Sequence, residues 1–196
     1  MRVRPVVLTG HLVRLAPLDA DHAQGLYNRG QQQRDWDYLP RPCFIDLADT
    51  RHWIDEALSA SDQVAFTIVE NGRGRAVGST RYLNIRPEHR SLEIGWTWLG
   101  RDWQRTALNT ETKLLLLSHA FEQLDCVRVE FKTDLRNERS QKALHRMGAT
   151  REGVLRNHMI VQGNHVRDSV YYSVIDREWP TVKQQLLELL ARTQET

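Results

Sequence analysis

Ser91-Leu92-Glu93-Ile94-Gly95-Trp96-Thr97-Trp98-Leu99, then Gly100-Arg101-Asp102-Trp103-Gln104-Arg105-Thr106-Ala107-Leu108 and Asn109-Thr110, is the stretch whose reading decides the fold. Its first part, rich in Leu, Ile and Trp, predicts a strand over Ser91 to Leu99. From Asn109 on, Leu114, Leu117, Phe121 and Leu124 recur at spacings of three and four, which predicts a helix. A strand-loop-helix junction presents unpaired backbone N–H groups and the positive end of the helix dipole, which is how proteins hold phosphates. Small or capping side chains in this loop let the backbone approach an anion, and Arg101 and Arg105 add charge. Many helices start this way and bind nothing. Gly95, inside the strand, marks either a bulge, a close approach of backbone to ligand, or only a weak point.

Downstream, Leu115 and Leu116 widen the apolar stripe, so the helix is expected to be covered on most of its girth. Cys126 to Thr133 alternates, with Val127, Val129 and Phe131 on one face and Arg128, Glu130 and Lys132 on the other. Asn137 caps a helix to Met147, which Gly148 ends. That helix carries Arg139, Lys142 and Arg146 on one face and Ala143, Leu144 and Met147 on the other. A solvated basic face explains it alone; two basic helix starts, each directly after a strand, point together to a phosphate-bearing ligand. Strands over Val154 to Val161 and Val166 to Ile175 flank Gly163-Asn164, and Pro180 opens a final amphipathic helix, about 179–192.

Upstream, a strand is expected over Thr9 to Leu15 and a short helix over Ala20 to Tyr27. The segment Gln31 to Phe44 has no period and reads as a long functional or mobile loop. Asp46 or Asp49 caps a helix bearing Trp53, Ile54, Ala57 and Leu58, and Val64 to Val69 is a strand. Asn71-Gly72-Arg73-Gly74-Arg75 is a hairpin turn rather than a dinucleotide loop, because Gly78 is misplaced and strand-like sequence follows. The element order predicts one mixed α/β sheet covered by helices, a single domain over 1–196.

With 196 residues, 40% hydrophobic and 27% charged, the chain is long enough for a core and too balanced to be disordered. A net charge of +2 gives no hint of nucleic acid as substrate. Two cysteines, Cys43 and Cys126, and scattered histidines give neither a disulfide framework nor a metal site. His11 and Arg14 break the N-terminal apolar run, so a cytoplasmic protein without a membrane anchor is expected.

Leu92-Glu93-Ile94-Gly95-Trp96, Gln104 through Glu111, Ala120-Phe121-Glu122, Arg128-Val129-Glu130, Asn137-Glu138-Arg139-Ser140, Gly148-Ala149 and Glu152 to Arg156, in that order, resemble the GNAT acetyltransferases. Within them the chain is most similar to the RimJ/RimL-like ribosomal-protein N-acetyltransferases, from Leu8 to Tyr172. The resemblance implies an α+β GNAT fold, with a mostly antiparallel mixed sheet splayed in the middle. It implies acetyl-CoA as co-substrate, held by Trp98, Gln104, Arg105, Thr106, Ala107, Leu108, Asn109, Thr110, Asn137, Arg139 and Lys142, without a metal. The pantetheine arm would lie between the splayed strands, with Ser140 near its sulfur. Two departures stand out: Ala107 and Asn109 replace small glycines of the family's loop, and Leu144 replaces a common tyrosine, leaving Ser140 as proton donor.

Acetyl transfer needs a neutral amine. An α-amine of pKa about 7.7–8.0 is roughly a tenth neutral at pH 7, whereas lysine at about 10.4 is almost wholly charged. Glu93 is the candidate base, against a plain strand carboxylate; backbone N–H groups from Gly95 to Thr97 would stabilise the oxyanion. Trp36 and Tyr38 are placed at the acceptor, although aromatics in loops are more often core plugs. The acceptor expected is a protein or peptide N-terminus, the alternatives being a small amine, a non-catalytic CoA sensor, or a single-stranded nucleic-acid module suggested by Trp96, Trp98 and Trp103. A homodimer is left open.

Overall fold

The computed structural model describes residues 1–194, so the last two residues of the expected domain lie outside the described residues. Eight strands form one sheet: β1 Leu8–Thr9, β2 Val13–Pro17, β3 Val64–Glu70, β4 Arg75–Arg86, β5 Ser91–Leu99, β6 Arg128–Asp134, β7 Thr150–Val161 and β8 His165–Ile175. Five α-helices accompany them: α1 Ala23–Tyr27, α2 Leu47–Ser59, α3 Leu108–Ser118, α4 Glu138–Arg146 and α5 Trp179–Gln194. The strand order is β1-β2-β3-β4-β5-β6-β8-β7, and neighbours are antiparallel except β5 and β6, which are parallel.

Helices on both faces explain why β3, Val-Ala-Phe-Thr-Ile-Val, is buried without alternation. On one face Leu116 and Leu117 of α3, Leu144 of α4 and Leu186 of α5 pack on Val129 and Phe131. On the other, Leu26, Trp53 and Ile54 pack with Trp98. The edge strand β7 is largely exposed and carries Arg151, Glu152, Arg156 and Asn157, side chains that discourage pairing with another chain.

The sheet forks as the resemblance implies. The β5–β6 ladder holds only Ser91, Leu92 and Glu93 against Arg128, Val129 and Glu130, although β5 runs on to Leu99 and β6 to Asp134. On its other side β5 bulges: Arg81 pairs with Gly95 and Ser79 with Trp98, leaving Trp96 and Thr97 opposite Thr80. The irregularity thus falls one residue after the glycine, and Trp96 carries the left-handed φ of +51°.

Several expectations need correction. The first strand is split by a turn, because the N–H groups of His11, Leu12 and Val13 leave the ladder to bind the Glu111 carboxylate. Helix α3 buries Glu111, Thr112, Lys113, Leu116 and Leu117, while Leu114 and Leu124 are only partly covered. Leu58 is 53% exposed. The 31–44 segment, expected as a long functional or mobile loop, is anchored in the second core by Trp36 and Phe44, which are buried with their ring centroids 4.8 Å apart.

Candidate active site

The N-termini of α3 and α4 converge as their basic sequences suggested. Gln104 joins them, its Nε2 donating to the Leu99 carbonyl at 2.9 Å while its Oε1 accepts from Arg139 Nη1 at 2.8 Å. Thr106 Oγ1 donates to the Trp103 carbonyl at 2.8 Å and accepts the Leu108 N–H at 3.3 Å. The first backbone bond of α3 runs from the Glu111 N–H to the Ala107 carbonyl at 3.0 Å. The Asn109 and Thr110 N–H groups therefore have no acceptor within the helix. Ala107 sits at φ −66° and ψ −13°, where a Cβ costs nothing. The left-handed angle in this loop, φ +60°, falls on exposed Arg105. The glycine-poor loop thus keeps a helix start open to an anion, and Asn109 adds a buried Oδ1 without a partner.

Leu108 differs from expectation: it packs against the main core instead of facing the cleft. Asn137 also differs in part. Its Oδ1 accepts the Ser140 N–H at 3.0 Å as the cap of α4, so only its amide nitrogen remains for a ligand. Arg139 and Lys142 are exposed at the rim; Lys142 reaches Glu138 at 3.1 Å, a solvent-screened pair.

From these helix starts a cleft of about 870 Å³ runs through the fork to the 31–44 segment. Glu93 lies where the strands part, 1% exposed. Its Oε2 accepts from Asn84 Nδ2 at 2.8 Å and pairs with Lys132 Nζ at 3.3 Å. A Cβ at Gly95 would stand 2.7 Å from Leu83 Cδ1 and 3.0 Å from Glu93 Oε1, so the glycine is what lets that carboxylate fold back over the strand. Ser140 lines the cleft half-buried.

Lys113, which the helical pattern did not single out, also borders the cleft. Its Nζ donates to Thr97 Oγ1 at 2.9 Å, Thr97 bonds Thr80 at 2.8 Å, and the Phe131 ring centroid lies 5.7 Å away. Burial pushes its pKa down to about 7. A lysine inside a run of leucines gives no sequence signal of which way it turns.

At the far end two aromatic assignments change. Trp36 is fully buried and does not face the cleft. The Trp98 ring packs on Trp36 and Phe44 at 4.9 and 5.8 Å, so Trp98 borders the cleft without offering its ring. Tyr38 remains on the cleft, 37% exposed. The segment is tied down at both sides: Asp35 pairs with Arg101 at 2.8 Å, and Gln162 Nε2 donates to the Trp36 and Leu39 carbonyls at 2.7 and 3.1 Å. Arg167, from β8, reaches the Tyr38 carbonyl at 3.4 Å. These contacts join residues far apart in the chain, beyond any local pattern.

Among the described residues no three His, Cys, Asp or Glu side chains gather to hold a metal, and no helix is long and apolar enough to cross a membrane. Burial raises the Cys126 thiol to about 11, which makes it a poor nucleophile.

The Acetyltransferase (GNAT) domain family matches residues 13–150. A GCN5-related N-acetyltransferase from Brucella melitensis superposes with a TM-score of 0.91 at 29% identity, covering 96% of this chain and 86% of that one. A protein from T. thermophilus, provisionally assigned as an acetyltransferase, gives a TM-score of 0.89 at 37% identity, covering 97% and 100%. YdaF of Bacillus subtilis (strain 168), provisionally named a ribosomal N-acetyltransferase, is 33% identical over 106 residues, 54% of this chain and 57% of its own length. By the span of the domain match and by the fork and paired helix starts that go with it, the chain belongs to the GNAT family of acetyl-CoA-dependent N-acetyltransferases.

Proposed function

We propose that this protein transfers the acetyl group of acetyl-CoA to the α-amine of a protein or peptide. The observation that carries the reading is one cleft joining the open start of α3 and the basic, Asn137-capped start of α4 to a parted pair of strands, with a buried carboxylate where they part. Asn109, Thr110, Gln104, Arg105 and Arg139 would hold the pyrophosphate, and the arm would lie between β5 and β6.

In this reading Glu93 takes the proton of the attacking amine, directly or through a water, at Oε1. Its Oε2 is engaged by Asn84 and Lys132, which fix the carboxylate in place. The amine attacks the thioester carbonyl carbon, the C–S bond breaks as the tetrahedral species collapses, and the Ser140 hydroxyl hydrogen-bonds or protonates the departing thiolate. The β5 main chain beyond Glu93, unpaired on the side that faced β6, would supply N–H donors for the oxyanion. No covalent acyl-enzyme is required.

The test is release of free thiol from acetyl-CoA against N-terminal peptides, polyamines, amino acids and aminoglycosides. Turnover of peptides above the small amines is expected. Turnover confined to small amines moves the acceptor class. Protection by CoA against heat, with no thiol released by any amine, replaces the transferase with a CoA sensor.

A further inference from the structure

Each carboxylate at or beside the acceptor end of the cleft already has a cationic partner on one oxygen or both. Asp35 pairs with Arg101 at 2.8 Å and Glu93 with Lys132 at 3.3 Å. Asp134 takes Arg136 through both oxygens: Oδ1 accepts its backbone N–H at 2.8 Å and its Nε at 3.0 Å, and Oδ2 its Nη2 at 2.8 Å. None of these carboxylates is paired with Arg167. Arg167 is 4% exposed and lines the cleft, yet among the described residues it makes no ion pair. Its Nε is buried without a partner, and its Nη1 has only the long contact of 3.4 Å to the Tyr38 carbonyl.

A guanidinium offers five donors in a planar fork, and burying it unfilled is costly. Burial lowers its pKa, and nearby Asp134 and Glu93 oppose that only through space. The fork matches a carboxylate, which it can take through two parallel hydrogen bonds. In the proposed function the phosphates of the donor have their own seat at the starts of α3 and α4, whose residues line the same cleft.

We propose that Arg167 is the seat for a carboxylate carried by the acceptor, so that the preferred substrates are α-amines with a carboxylate a few bonds from the nitrogen. This rests on the acetyl-transfer reading above and narrows its acceptor. The geometry lets the amine point toward Glu93 while the carboxylate docks on β8. A polycation meets a buried like charge there and is disfavoured.

The experiment compares kcat/KM for amidated peptides with Asp, Ala or Lys at the second position, for free amino acids, and for spermidine, in the wild type, Arg167→Gln and Arg167→Lys. The wild type should favour carboxylate-bearing acceptors by about tenfold or more, the penalty for leaving a site's buried polar groups unpaired. That ratio should collapse in Arg167→Gln and be partly kept in Arg167→Lys, while the Ala peptide is still turned over by both. Preference for the Asp peptide places the carboxylate in a side chain; preference for free amino acids places it on the α-carbon. Equal turnover of Asp, Ala and Lys peptides and of free amino acids, a preference for spermidine, or a ratio that survives Arg167→Gln overturns the proposal.

Calorimetry of the same peptides on the CoA-loaded protein separates the two readings. Arg167-dependent binding without turnover sinks the transferase and keeps the carboxylate seat. Turnover without carboxylate preference does the reverse, and neither binding nor turnover sinks both.

Discussion

Glu111 and Lys113 lie two residues apart on α3, both buried, and their surroundings could hardly differ more. The Glu111 carboxylate accepts three backbone N–H groups, from His11 at 2.9 Å and from Leu12 and Val13 at 2.7 Å each. The turn between β1 and β2 is wrapped around it so closely that a Cβ on Gly10 would meet its Cδ at 2.6 Å. Lys113 has one neutral hydroxyl and the face of a ring. A buried charge whose bonding capacity is filled is part of the fold; one left short marks the cleft. Glu93 stands between them, with one oxygen engaged and the other beside Gly95.

The contrast is broken most severely at Glu111. Glu111→Ala strands three backbone donors and should cost about 3–5 kcal/mol in chemical denaturation. A loss near zero would mean that water replaces the carboxylate. Glu93→Gln should cut kcat by about a hundredfold, the lower range for a lost proton acceptor, with CoA affinity kept. An unchanged kcat makes Glu93 a structural carboxylate like Glu111. Lys113→Met removes a poorly satisfied charge and should raise stability at pH 7 by about 1–3 kcal/mol.

Lys113 also fixes a sign for pH. Its folded pKa of about 7 lies below the ordinary value of 10.5, so between these values the unfolded chain binds the extra proton. Wild-type stability therefore rises with pH across that window, and denaturation at several pH values should show the advantage of Lys113→Met shrinking toward the top of it. Smallest of all, Ser140→Ala should slow thiol release about tenfold, the value of roughly one hydrogen bond to the leaving group, with the melting temperature unmoved because Asn137, not Ser140, caps α4.

Most of the frame could be read from the chain. The alternation over Cys126 to Thr133, the turn at Gly163 and the capping Asn137 are local signals, and they placed β6, the hairpin end of β7 and β8 and the start of α4 within a residue or two, whereas β7, expected from Val154, begins at Thr150. The basic helix starts were legible for the same reason. The facing of α3 was not: four consecutive leucines, Leu114 to Leu117, supply no phase, so nothing tells that Glu111 and Lys113 turn inward. Nor were Trp36, Gln162 and Arg167, whose positions depend on contacts across the whole length of the chain. The Trp36-to-Leu39 stretch reads as loop in the sequence because it owes its order to partners that are not its neighbours.

Three residue pairs are all that stitch the strands before α3 to the strands after it within the sheet. Leu92 and Ile94 from one side of that seam and Val129 and Phe131 from the other share one buried core with Leu116 and Leu117 of α3. The molecule is thus two half-sheets whose short join coincides with the place where chemistry is expected. Amides just past the seam, from Ile94 onward, should exchange with solvent sooner than those of the flanking hairpins, and a ligand filling the rift should slow them.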